Sequence, residues 1–101
     1  MTAYTIEQLA NCWPGDRLPN ALELEQFDAL EVHPQADVSP VDEEGTWYES
    51  CDPVDAEIWS IQLHHIEGGC DNLTDCETKA EAIAIVNHLS KLWSLPINHT
   101  F

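Results

Sequence analysis

Four cysteines and five histidines mark where metal or nucleophile chemistry would be sought: Cys12, Cys51, Cys70 and Cys76, with His33, His64, His65, His88 and His99. Structural zinc sites usually draw ligands from a closely spaced pair such as C-x2-C or H-x3-H. Neither spacing occurs. Cys70 and Cys76 are separated by an even step, which on a strand gives one face but about 20 Å between them. Cys51 is the cysteine that a sheet could bring nearer to Cys70. The pattern predicts reduced thiols, mostly buried, and neither a metal site nor another cofactor. Nucleophilic catalysis has no better support. His64 and His65 are adjacent, so on a strand they point to opposite faces. No Gly-rich phosphate loop is present. The run Asp71-Asn72 with Asp75 does not match the D-x-[DN]-x-[DN]-G calcium pattern. The residues therefore read as those of a non-enzymatic protein with weak, unspecific affinity for divalent cations.

The acids are the stronger signal. The chain has 101 residues, 19 Asp and Glu, 3 Lys and Arg, and a formal net charge of −16. The stretch Leu18 to Thr78 spans 61 residues with 16 acids and no Lys or Arg. Surfaces normally mix both signs, since one-signed charge repels itself and opposes compaction. Such a field repels nucleic acid and anionic membrane, and attracts basic surfaces at rates that fall with salt. The acids at Asp37, Asp42, Glu43, Glu44, Glu49, Asp52, Asp55 and Glu57 form the denser rim, and are the candidate partner-binding residues. Glu67, Asp71, Asp75 and Glu77 form a second, thinner rim. Carboxylates held at suitable spacing compete with phosphate for Lys and Arg, and Arg–carboxylate pairs can be bidentate.

Rigid elements must position these groups. Apolar content of 44% with four Trp indicates a folded chain of one domain, residues 1–101. Thr5-Ile6-Glu7-Gln8 has capping-box form and opens a short helix that Pro14-Gly15 ends. Asn20 and Glu23 make a similar pair, predicting a helix over 21–27. A strand over 29–33 follows, ended by Pro34. Residues 35–45 read as an acidic loop. Strands are expected over 46–51, 56–66 and 70–76, as an antiparallel meander. In the second of these, Trp59, Ile61 and Leu63 share one face, and Ser60, Gln62 and His64 the other. Glu67-Gly68-Gly69 is a hairpin turn. By parity Asp71 and Asp75 face the same way as Leu73, which predicts an edge strand or half burial. Thr78-Lys79-Ala80-Glu81 is another capping box. It opens a helix to about Ser94 with Ala82, Ile85, Val86, Leu89, Leu92 and Trp93 as its apolar stripe. Pro96 stops it and 97–101 reads as a tail. The fold class is α+β: a three- to four-stranded antiparallel meander packed on a long C-terminal helix, with one or two short N-terminal helices.

The stretch Glu57-Ile58-Trp59-Ser60-Ile61-Gln62-Leu63-His64, with Glu67-Gly68-Gly69, Asp75 and Lys79-Ala80-Glu81-Ala82, resembles small proteins of phages and mobile elements. In those, a W-S-V-type strand, a Gly-Gly hairpin and an Ala-rich helix recur. The resemblance covers 46–97. With size and acidity it is similar to anti-CRISPR and anti-restriction inhibitors, many of them DNA mimics. It implies a mode of action and no specific binding residue. The expected protein is an inhibitor of a host defence complex, with a CRISPR effector subunit as partner and no direct contact to nucleic acid. The alternatives are a homodimeric interaction domain using its sheet edge or Trp residues, and a small zinc or redox protein. No run of 18 apolar residues and no signal-peptide pattern at Met1–Ala10 are present, which predicts the host cytoplasm. The sequons at Asn72 and Asn98 read as chance.

Overall fold

The computed structural model describes residues 4–15, 17–37, 48–51 and 53–99. In chain order these form α1 (Ile6–Ala10), α2 (Ala21–Leu24), β1 (Phe27–Asp37), β2 (Tyr48–Ser50), a 3-10 turn (Pro53–Asp55), β3 (Ile58–His65), β4 (Cys70–Cys76), α3 (Lys79–Trp93) and β5 (Ile97–His99). The expected α+β architecture is present: an antiparallel sheet packed against the C-terminal helix, with short N-terminal helices. The sheet runs β2-β1-β3-β4, and β5 adds a parallel pairing to β1.

Alternation builds the two faces. Leu30 and Val32 on β1 pair with Leu63 and Ile61 on β3, and all four are fully buried. Ala82, Ile85, Val86 and Leu89 on α3 cover them, with Leu73 from β4 and Leu9 and Ala10 from α1. Burial of each such aliphatic side chain contributes about 1.5–3 kcal/mol. Exposed ion pairs contribute about 0–1 kcal/mol each, so the core, not charge pairing, holds the fold. Leu92, expected in the helix stripe, is exposed instead; Trp93 packs at the margin of the core.

Caps set the helix limits. Thr5 and Gln8 close a full capping box on α1, and Asn20 and Glu23 close one on α2. Thr78 Oγ1 accepts the Glu81 N–H at the start of α3. At its other end Ser94 takes a left-handed conformation, φ 55°, and the Leu95 N–H returns to the Ser90 carbonyl. This reversal sends the chain back along β1. The 97–99 segment is thus a strand, not a tail: the Leu30 N–H donates to the Pro96 carbonyl and Ile97 packs on the core.

β1 departs most from the sequence reading. α2 stops at Leu24, and Phe27 is already strand, paired with His65 and packed edge-on to Trp13. Tertiary pairing overrides the local helical preference there. The strand also runs through Pro34. The Pro34 carbonyl accepts from the Cys51 N–H, so its nitrogen faces that same side. The β-ladders on that side stop short of it: β5 reaches β1 at Val32 and β2 begins at Gln35. The missing N–H of Pro34 costs no ladder bond. β1 therefore lies between β2 and β3, so these two flank a common partner instead of pairing with each other. Gly68 and Gly69, at φ 108° and 82°, form the β3–β4 turn as the Gly-Gly pair predicts.

Two graded losses check this account. Ile85→Ala is expected to lower unfolding free energy by about 2–5 kcal/mol, and Thr78→Ala by about 1 kcal/mol. Urea melts followed by Trp fluorescence measure both.

Candidate functional site

The antiparallel register redistributes the acids. Trp59 on β3 pairs with Cys76 on β4, and His64 pairs with Cys70. Glu77 therefore joins exposed Asp55 and Glu57 at one end of the sheet, together with the paired ends of β1 and β2 that carry Asp37 and Glu49. Glu67 and Asp71 lie at the opposite end, beside Glu25 and Asp28 where β1 begins. The eight residues of β3 separate the two ends by about 25 Å. So the second rim is divided, and Glu25 and Asp28 are additions that linear clustering missed. Asp42, Glu43, Glu44 and Asp52 lie outside the described residues, as does Trp47.

Asp75 is half-buried and held by neighbouring side chains. Its Oδ1 accepts from Ser60 Oγ at 2.6 Å and Asn72 Nδ2 at 3.2 Å, and its Oδ2 from Cys12 Sγ at 3.3 Å. A bulge opposite Ile61 and Gln62 breaks the parity of β4. Leu73 keeps the core side while Asp75 turns to the outer face, opposite Ser60. The same bulge places Cys70 and Cys76 on different faces. Asp71 is held at 2.9 Å by His65 Nε2.

Cations are few and partly committed. Arg17 forms a two-point pair with Glu23. Its hydrogen bonds, with those from Asn20, hold the Glu23 carboxyl below its ordinary range. Lys79 sits 5.9 Å from the Trp59 ring centroid. The edge of β4 is occupied by the end of α1. Asn11 Nδ2 donates to the Asp75 carbonyl, the Asp75 N–H donates to Asn11 Oδ1, and the Cys12 N–H donates to the Leu73 carbonyl. These bonds satisfy groups that an edge strand would otherwise offer to another chain.

The outer face of the sheet, opposite α3, is polar. Glu31, His33 and Gln35 of β1 lie beside Ser60, Gln62 and His64 of β3 and Cys70 of β4. Glu31 Oε1 is 2.7 Å from His33 Nε2 and accepts from Cys70 Sγ at 3.4 Å. Sequence reasoning did not group these three. The E-x-H alternation on β1 was the available signal, but it required a strand running past Pro34. The thiol expectations need correction too. Cys76 is buried and Cys51 half-buried, yet Cys12 and Cys70 are exposed. Cys51 follows β2 at one edge of the sheet and Cys70 opens β4 at the other, so they are not brought together. Burial, then Asp75, pushes the Cys12 thiol up to about 12. Burial, then Glu81, does the same for Cys76. Burial, then Glu31, pushes Cys70 up to about 11. All three are protonated at neutral pH and lack the thiolate that a nucleophile needs.

No protein-family model, curated protein or solved structure matches this chain. Among the described residues, no helix is long and apolar enough to cross a membrane.

His64 Nδ1 lies 2.7 Å from Asp28 Oδ1, and this hydrogen bond raises the imidazole above its ordinary 6.5. The folded chain thus binds that proton more tightly than the unfolded one. The resulting stabilisation is fully present below about pH 6.5 and is lost as pH rises through the raised folded value. An NMR titration is expected to place His64 above 6.5, and Asp28→Asn to bring it down.

Proposed function

We propose that the protein is a non-enzymatic inhibitor that occupies a basic nucleic-acid-binding surface with its acidic sheet ends. One observation carries this reading. β1 to β4 and all their connections fall within Leu18–Thr78, so four paired strands present carboxylates without a single Lys or Arg among them. A flexible acidic tail would have to lose conformational freedom on binding. Carboxylates fixed on strand ends and tight turns largely avoid that cost. At the Gly-Gly end, a groove lined by Glu25, Gln26, His65, Ile66 and Glu67 offers two carboxylates with an exposed apolar side chain between them. That chemistry suits a Lys or Arg: its stem lies on Ile66 and its head reaches the acids. The partner class proposed is a host defence complex that binds DNA or RNA through a basic channel, with CRISPR effector subunits first. A homodimer formed through β4 is disfavoured, because Asn11 and Cys12 already fill the middle of that edge.

The test is competition. Added to a CRISPR effector complex, the protein is expected to reduce target-DNA binding at near-stoichiometric amounts. The inhibition should weaken at least about tenfold between roughly 0.05 and 0.5 M salt. Glu25→Gln combined with Glu67→Gln should weaken it further at low salt. Undiminished DNA binding at any excess would sink the CRISPR version. Binding that ignores salt would sink the acidic-surface mechanism as a whole.

A further inference from the structure

The geometry points to a zinc site on the outer face of the sheet, formed by Glu31 Oε1, His33 Nε2 and Cys70 Sγ. These three atoms lie within 4.8 Å of one another. They come from two strands that do not pair directly: Glu31 and His33 from β1, and Cys70 from β4 across β3. Period-2 alternation places Glu31 and His33 on one face, and the β4 bulge leaves Cys70 on that face opposite His64. Glu31 and His33 are held in register against β3, and Cys70 against His64 of the same strand, so the ligand positions are largely preset.

The distances suit a tetrahedral ion. Zinc bonds of about 2.0–2.3 Å bring neighbouring ligand atoms about 3.3–3.7 Å apart. Cys70 Sγ and Glu31 Oε1 are 3.4 Å apart, within that range. His33 Nε2 and Glu31 Oε1 are 2.7 Å apart, a hydrogen-bond distance. Replacing that bond by two metal bonds opens it by roughly 0.6 Å, which side-chain torsions absorb. Water completes the tetrahedron as the fourth ligand. The donor set of one sulfur, one imidazole and one carboxylate selects a borderline ion. Calcium and magnesium demand oxygen ligands throughout. As the metal–sulfur bond forms, the Cys70 Sγ proton leaves to solvent. Asp28 and Asp71 lie close enough for their charge to act on that sulfur, and favour an arriving cation. The bland alternative is a His33–Glu31 ion pair, with Cys70 merely beside it. The surface acids also bind divalent ions loosely, so the readout must be specific to sulfur.

Cobalt(II) supplies that readout, followed by displacement with zinc. One equivalent of Co2+ is expected to give visible tetrahedral bands and a near-ultraviolet sulfur-to-cobalt charge-transfer band, unaffected by millimolar Ca2+ and abolished by one equivalent of Zn2+. Cys70→Ser should eliminate the charge-transfer band. His33→Gln and Glu31→Gln should weaken binding at least about tenfold, while Cys12→Ser changes nothing. No band at stoichiometric cobalt, a band that survives Cys70→Ser, or unchanged affinity in His33→Gln would overturn the proposal. Should a variant fail to fold, the unmodified chain decides. One equivalent of Zn2+ must slow alkylation of Cys70, mapped by peptide mass spectrometry, and leave Cys12 alone; equal rates at Cys70 with and without zinc overturn it. The outcome is independent of the partner reading, since neither Glu25 nor Glu67 takes part.

Discussion

The pairing of β1 with β3 is the constraint on which the rest of the structure depends. It joins Leu30 to Leu63 and Val32 to Ile61 beneath α3. It equally sets Glu31 opposite Gln62 and His33 opposite Ser60 on the other face. A slip of one residue would exchange these two sets. Six or more kcal/mol of aliphatic burial across those four residues therefore fixes the polar face as firmly as the core. β1 also accepts β2 on its far half and β5 on its near half. A chain with a net charge of −16 keeps a rigid sheet because this apolar register outweighs the repulsion.

Charge is then disposed around that frame. α3 carries Lys79 and Lys91, and Arg17 precedes the sheet. Every residue of β1–β4 is left without a basic neighbour in sequence. The imidazoles are what the sheet offers its own acids: His33 to Glu31, His64 to Asp28, His65 to Asp71. These contacts orient carboxylates by hydrogen bonding. Fixed carboxylate geometry is what the proposed occupation of a phosphate-binding surface requires.

Much of this was legible in the residues. Capping at Thr5, Asn20 and Thr78, the Trp59-Ile61-Leu63 alternation and the Gly68-Gly69 turn each rest on local chemistry, and each appears in the structure. What was not legible depends on partners distant in sequence. Pro34 breaks a strand only if its nitrogen is needed, and that depends on where β5 and β2 meet β1. Parity places Asp75 with Leu73 only if no bulge intervenes. Bulges at Asp28 and Leu73 are set by strand length and packing, and neither residue announces them. The acidic rims illustrate the same limit. Neighbours in sequence, such as Glu67 and Glu77, end up at opposite ends of β4, while Glu25 comes beside Glu67.

The two bulges bear on function as well as on register. Asp28, the extra residue on β1, is released from the ladder and reaches His64. Leu73, the extra residue on β4, turns Asp75 and Cys70 to the outer face. Without the second bulge, Cys70 would point to the core side and Glu31 and His33 would lack a sulfur neighbour. The acids near Cys70 oppose its ionisation, since a thiolate among carboxylates adds like charge. The same carboxylates attract any cation that replaces the proton. Charge alone cannot choose between a basic side chain and a metal ion, because both answer to the same field. Geometry does the choosing: separated carboxylates on exposed strand ends match guanidinium and ammonium groups spread over a protein surface. A sulfur, a nitrogen and an oxygen within 4.8 Å match a single small ion.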